Sequence, residues 1–172
     1  MVILGLGSNI GDRLAHLEAA VRALAPVMRG LRASRVLESR AVLPAGAPPA
    51  WDLPYLNMAV CGDTTLAPLD LLNWLKAIES RAGRVSRGIW GPREIDLDIL
   101  VMDEVVMASA GLTIPHPELL NRDFALLPCV DVAPDFIYPH GVYKGKRVLD
   151  IVREKNVALG EHLKDTGMRV HV

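Results

Sequence analysis

Two acids spaced two residues apart are the first candidates for chemistry. In Ile95-Asp96-Leu97-Asp98-Ile99-Leu100-Val101, apolar and acidic residues alternate. Side chains on a strand point to alternate faces. Ile95, Leu97, Ile99 and Val101 are therefore expected to bury one face, and Asp96 and Asp98 share the other with Cα atoms ~7 Å apart. Neighbouring carboxylates raise each other's pKa unless a cation sits between them. A bare D-x-D is as often a solvated face as a site. The arginines upstream shift that balance: Arg81, Arg84, Arg87 and Arg93, the last three in a loop with Gly88, Gly91 and Pro92. Acids for a hard cation beside guanidinium groups for phosphate oxygens are the equipment of Mg²⁺-assisted phosphoryl transfer. Two Mg²⁺ ions roughly 4 Å apart could clamp the attacking and leaving oxygens.

Other candidates are weaker singly. Gly5-x-Gly7-x-x-x-Gly11 has one residue too many for the dinucleotide fingerprint, and the P-loop lysine is missing. A tight strand-to-helix turn is its simplest reading; lining a substrate pocket is the alternative. His116 lies between Pro115 and Pro117 with Arg122 close behind, a place suited to stacking or phosphate contact. His16, His140, His162 and His171 have no partner at ligand spacing and read as surface residues. Aromatics make up only 5% of the chain, and Tyr55, Trp90 and Phe124 each border a polar group, Asn57, Arg93 or Arg122. Each could be a core residue. A flat heterocycle stacked between two of them is the functional reading.

Periodicity indicates the elements that hold these groups. Residues 2–6 read as a buried strand. Asp12 can cap a helix with Leu14, Leu17, Val21, Leu24 and Met28 along one face, ended by Gly30. Residues 31–42 read as extended. Residues 43–54, with Pro44, Pro48, Pro49 and Pro54, read as a long loop. Residues 55–61 alternate as a strand, and Pro68 opens a second helix closed by Gly83. Asp103-Glu104 looks like a hairpin turn from the acidic strand to Val105-Val106. Residues 114–122 read as a loop with a helical turn, and 124–132 as a helix. Residues 141–172 are less patterned and read as a helix plus a loosely attached tail. Two helices returning to a sheet with hairpins between predict an α+β fold, a ferredoxin-like α-β-α sandwich around a mainly antiparallel sheet.

Composition bounds the function. The 172 residues, 51% apolar and 23% charged, suit one soluble globular domain. We expect a core domain over residues 1–150 with residues 151–172 attached to it. A net charge of -1 argues against a nucleic-acid binder. No apolar run approaches a membrane span, and with no basic stretch after Met1 a secretory signal is not expected. Cys61 and Cys129 read as buried thiols in a reducing compartment. A cytoplasmic monomer is the expectation.

Four stretches carry a resemblance. Leu4-Gly5-Leu6-Gly7-Ser8-Asn9-Ile10-Gly11-Asp12, Tyr55-Leu56-Asn57-Met58-Ala59-Val60, the run from Trp90 to Leu100, and Ile114-Pro115-His116-Pro117 with Asn121-Arg122-Asp123-Phe124 occur in that order. Together they resemble the 6-hydroxymethyl-7,8-dihydropterin pyrophosphokinase family over roughly residues 2–150. The resemblance implies transfer of pyrophosphate from ATP to the pterin hydroxymethyl group, with AMP released, in folate synthesis. It implies that Asp96 and Asp98 hold two Mg²⁺. It places Tyr55 and Phe124 on the two faces of the pterin, with Asn57 and the backbone around Ser39, Arg40 and Val42 along its edge. Leu72, Glu79, Ile99 and Thr113 would line the nucleotide site. Arg84, Arg93, His116 and Arg122 would contact phosphates, and Trp90 would close over the pterin. The nucleophile is a primary alcohol, and metal coordination with Asp98 or Asp96 would assist its proton loss. Ser86 and Ile89 stand where family members commonly carry basic residues, with Arg87 shifted. The alternative reading is a non-catalytic module that binds nucleotide or pterin.

Overall fold

The computed structural model describes residues 1–85, 87–88 and 91–172. The expectations for Ser86, Ile89 and Trp90 fall outside the described residues. Strands β1 (Val2–Ser8), β2 (Arg29–Ala33), β3 (Arg35–Ser39), β4 (Tyr55–Asp63) and β5 (Asp96–Met102) join a late strand, β8 (Leu163–Arg169), in one sheet. Its order is β5-β1-β4-β3-β8, with β2 paired to the second half of β4. Every pairing is antiparallel. A separate hairpin joins β6 (Met107–Ser109) to β7 (Leu112–Ile114).

Helices cover both faces. On one side α1 (Arg13–Leu24) and α2 (Pro68–Arg81) set Leu17, Val21, Leu71 and Leu75 against Leu4, Met58, Leu97 and Ile99. On the other, α3 (Asp123–Val132) and α4 (Val148–Glu154) set Leu126, Val132 and Ile151 against Ile3, Ala59 and Val101. Each such fully buried aliphatic side chain contributes roughly 1.5–3 kcal/mol. The expected sandwich around an antiparallel sheet is present. Among the described residues, no helix is long and apolar enough to cross a membrane.

Local chemistry explains where the helices start. The Asp12 carboxylate accepts the Ala15 N–H at 3.1 Å and caps α1. Pro68 occupies the first turn of α2, where its missing N–H costs nothing, and Gly83 takes φ +80° just after the helix.

Four details differ from the sequence reading. α1 stops at Leu24, because Pro26 has no N–H to continue it; Gly30 instead lies inside β2 with φ +59°. Asp103 turns with φ +41°, but the chain then leaves the sheet and pairs only with β7 through Gly111, so Val105 and Val106 do not return along β5. Residues 163–169 are not a loose tail: β8 pairs with β3, and Thr166 donates to the Val36 carbonyl at 2.8 Å. Finally, β5 carries a bulge. Leu4 pairs with Ile99 and Ile3 with Val101, so Leu100 is the extra residue. Ile95, Leu97 and Ile99 share one core layer, but Val101 crosses to the other.

Candidate active site

The sheet provides the floor of a cavity of about 330 Å³. In β1, Gly7 pairs with Asp96 on one side and Asn57 on the other, and Gly5 pairs with Asp98 and Ala59. The acids and Asn57 thus lie on strands two apart, about 10 Å by strand spacing. The intervening glycines keep the floor low. A Cβ on Gly7 would lie 3.2 Å from Asn57 Oδ1 and 3.5 Å from Tyr55 Cδ1; one on Gly5 would lie 3.2 Å from Leu100. The simplest reading of Gly5 and Gly7, a turn, is thereby corrected: they are strand residues lining a pocket.

The two acids differ in environment. Asp96 is held by Arg84 Nη1 at 2.8 Å and Arg93 Nη1 at 2.5 Å. No described side chain forms a hydrogen bond or ion pair with Asp98. Burial pushes the Asp98 carboxyl up, the Asp96 charge adds to this, and His116 and Lys76 oppose it. An acid in that state attracts a cation.

Behind the pair, Glu79 of α2 is a buried anchor. Its Oε1 accepts the Leu97 N–H at 2.8 Å and meets Lys76 Nζ at 2.8 Å, while Oε2 meets Arg84 at 2.5 Å. Glu79 therefore sets the Arg84 guanidinium against Asp96. A second hollow of about 260 Å³ adjoins, lined by Lys76, Glu79, Arg84 and Arg87 and sharing Arg93 with the first.

Arg87 is engaged elsewhere. It grips Glu94 through two nitrogens, at 2.6 and 3.1 Å. That bond holds the Glu94 carboxylate at about 2, below its ordinary 4.5. A lowered folded-state value stabilises the fold above pH 4.5, and the contribution is lost as pH falls towards 2. Glu94→Gln is therefore expected to lower the thermal midpoint at pH 7. Melts across pH should show the difference shrinking below pH 4.5.

The opposite end of the cavity is suited to a flat ring. Tyr55 opens β4, and burial pushes its phenol up, so it stays neutral. Phe124, at the start of α3, lies beneath Arg122, whose guanidinium carbon is 5.9 Å from the ring centre. Asn57 is buried, and its Nδ2 donates to Ser39 Oγ at 2.9 Å, which fixes the amide. Ser39, Arg40 and Val42 form the adjacent wall. His116 Nδ1 accepts the Glu118 N–H at 3.1 Å, leaving Nε2 as the donor in the neutral ring.

A model of the 7,8-dihydro-6-hydroxymethylpterin-pyrophosphokinase family matches residues 3–134. The chain belongs to that family. Among relatives, the folate synthesis bifunctional protein of Chlamydia trachomatis is 43% identical over 136 residues, covering 77% of this chain and 30% of that protein. The 2-amino-4-hydroxy-6-hydroxymethyldihydropteridine pyrophosphokinase of Aquifex aeolicus is 37% identical over 142 residues, covering 80% and 83%. Its namesake from Pseudomonas aeruginosa is 39% identical, covering 81% and 85%. The chain thus spans about a third of the bifunctional relative and most of the other two. A solved Plasmodium falciparum HPPK-DHPS structure aligns at TM-score 0.66 and 13% identity, over 95% of this chain and 47% of that one, a likeness of fold.

In this pyrophosphokinase family member, one cavity gathers Asp96, Asp98, Arg93, His116 and Arg122 with Ser39, Arg40, Val42, Tyr55, Asn57 and Phe124. Arg84 and Glu79 line the adjoining hollow. Leu72, Ile99 and Thr113 line neither. Ile99 is buried in the α1/α2 core layer, Leu72 packs against that layer, and Thr113 lies in β7. Two participants have no role in the sequence reading: Lys76, one turn before Glu79, and Asn9, inside the glycine-rich stretch.

Proposed function

We propose that the chain transfers the terminal pyrophosphoryl group of ATP to the hydroxymethyl oxygen of 6-hydroxymethyl-7,8-dihydropterin, releasing AMP in folate synthesis. One observation carries this reading: the Asp96–Asp98–Arg93 cluster and the Tyr55–Asn57–Phe124 cluster share a single cavity. The names of the Aquifex and Pseudomonas relatives support it.

The donor set suits Mg²⁺ that arrives with a triphosphate. Two carboxylates on one strand face are too few for an all-protein cage, and Mg²⁺ characteristically takes one or two carboxylates plus phosphate oxygens and water. Among the described residues, no group of three His, Cys, Asp or Glu is placed to hold an ion. Two Mg²⁺ held by Asp96 and Asp98 would neutralise charge on the phosphates during transfer.

The chain's own groups do the rest. Tyr55 and Phe124 hold the pterin ring between them. Asn57, oriented by Ser39, and the backbone around Arg40 and Val42 recognise its edge. Arg84 and Arg93 exchange Asp96 for phosphate oxygens, and His116 and Arg122 contact phosphate from the other wall. Glu79, which lines the adjoining hollow, borders the nucleotide. The hydroxymethyl oxygen attacks the β-phosphorus, and its bond to the α,β-bridging oxygen breaks. AMP leaves with that oxygen, and Asp98 or Asp96 assists loss of the hydroxyl proton. Arginines aimed at the charge that develops supply stabilisation specific to the transition state. The free, buried Cys61 and Cys129 support a reducing compartment, the cytoplasm.

The test is an AMP-release assay. AMP and pterin diphosphate should form in equal amounts only when ATP, Mg²⁺ and the hydroxymethyl-dihydropterin are all present. Nucleotide binding that ignores Mg²⁺, with no AMP formed, would instead identify a binding module.

A further inference from the structure

One carboxamide ties together the two halves of the cavity. Asn9 follows β1 directly and is 4% exposed. Its backbone N–H donates to the Arg93 carbonyl at 3.1 Å, and its Oδ1 accepts the Arg93 N–H at 2.8 Å. Its Nδ2 donates to the Leu53 carbonyl at 3.3 Å. Arg93 leads to the guanidinium on Asp96, and Leu53 lies two residues before Tyr55. Arg13 reinforces the second attachment by donating to the Pro54 carbonyl at 2.8 Å while pairing with Glu38 at 3.1 Å.

Resting on the pyrophosphokinase reading, we infer that Asn9 is a positioning residue that fixes the phosphate-side backbone at Arg93 relative to the pterin-side backbone at Leu53. The loops it joins are forty residues apart in sequence (53 and 93) and lead into β4 and β5, which flank β1 on opposite sides. The site needs a donor and an acceptor on one short planar group, which a primary amide provides. Asp keeps the acceptor for the Arg93 N–H but sets an oxygen against the Leu53 carbonyl. Ala removes both bonds. A buried group left without its partner costs more than the bond itself contributes, so Asp should disturb the pterin half of the cavity and Ala both halves.

Binding of an Mg²⁺ complex of α,β-methylene-ATP and of 6-hydroxymethylpterin is measured separately, by calorimetry, on the full chain and on Asn9→Asp and Asn9→Ala. Thermal midpoints are recorded alongside. Asn9→Asp is expected to keep nucleotide Kd within about threefold while weakening pterin by about tenfold or more. Asn9→Ala, which introduces no charge, should weaken both by about tenfold. Variants that both match the parent for the two ligands, an Asn9→Asp chain that loses both ligands in equal proportion, or variants that no longer melt cooperatively would overturn the positioning role alone. A parent chain that binds neither ligand would overturn the functional reading beneath it.

Discussion

Asp98→Asn is expected to lower AMP release by about a thousandfold or more and, at the same time, to raise the melting temperature of the ligand-free chain. Both effects follow from one circumstance. Burial, with the Asp96 charge behind it, lifts the Asp98 carboxyl above its ordinary value of 3.8. A carboxyl raised on folding opposes folding once ionised: stability falls as pH rises from the ordinary value through the raised one, and stays lower above it. Asn keeps the shape and removes the charge, so the fold gains at pH 7 what the site loses. Asp96→Asn should act with the opposite sign on stability. It removes a counter-charge from Arg84 and Arg93, which lie at 2.8 and 2.5 Å, and leaves Arg84 with Glu79 but Arg93 without its carboxylate partner. Rates and melts of both variants check the pair. Activity of Asp98→Asn within about tenfold of the parent, about 1.4 kcal/mol in barrier, would remove the acid from the mechanism.

Arg93→Ala is expected to lower kcat by about 10²–10³-fold, with a smaller effect on pterin affinity. Arg93 belongs to both hollows, its guanidinium lies on Asp96, and its backbone is fixed by Asn9. Both its side chain and its backbone are thus held beside the acids proposed to meet phosphate. Lys should rescue little, since a single ammonium cannot reproduce the planar fork that meets phosphate oxygens. Steady-state rates at saturating pterin measure this. A loss of kcat below about tenfold would transfer the role to Arg84, which Glu79 already sets against the same carboxylate.

Much of this site was legible because local rules govern it. Alternation puts Asp96 and Asp98 on one face, and the same rule puts Asn57 beside Ala59 and away from Met58. Capping by Asp12 and the start at Pro68 are likewise local. The misses have tertiary causes. Val101 changes face because β1 and β5 shift register at Leu100, where the side chain packs against Gly5; nothing in the seven residues themselves records the bulge. β8 lacks alternation because it is an edge strand exposed over most of its length, so only Leu163 and Thr166 show an inward side. Ile99 shows a conflict already present in the sequence. The alternation that aims Asp98 into the cavity aims Ile99 into the core, whereas the family resemblance alone assigned it to the nucleotide.

The central claim is that Asp96 and Asp98 grip divalent ions against the triphosphate. Anomalous diffraction from a crystal grown with Mn²⁺, α,β-methylene-ATP and 6-hydroxymethylpterin tests it most directly. Two metal peaks are expected within coordinating reach of both carboxylates and of phosphate oxygens, with Arg84 and Arg93 moved from Asp96 onto phosphate. Ordered nucleotide and pterin with no metal peak at either acid, or with Asp96 still paired to both arginines, would contradict the account.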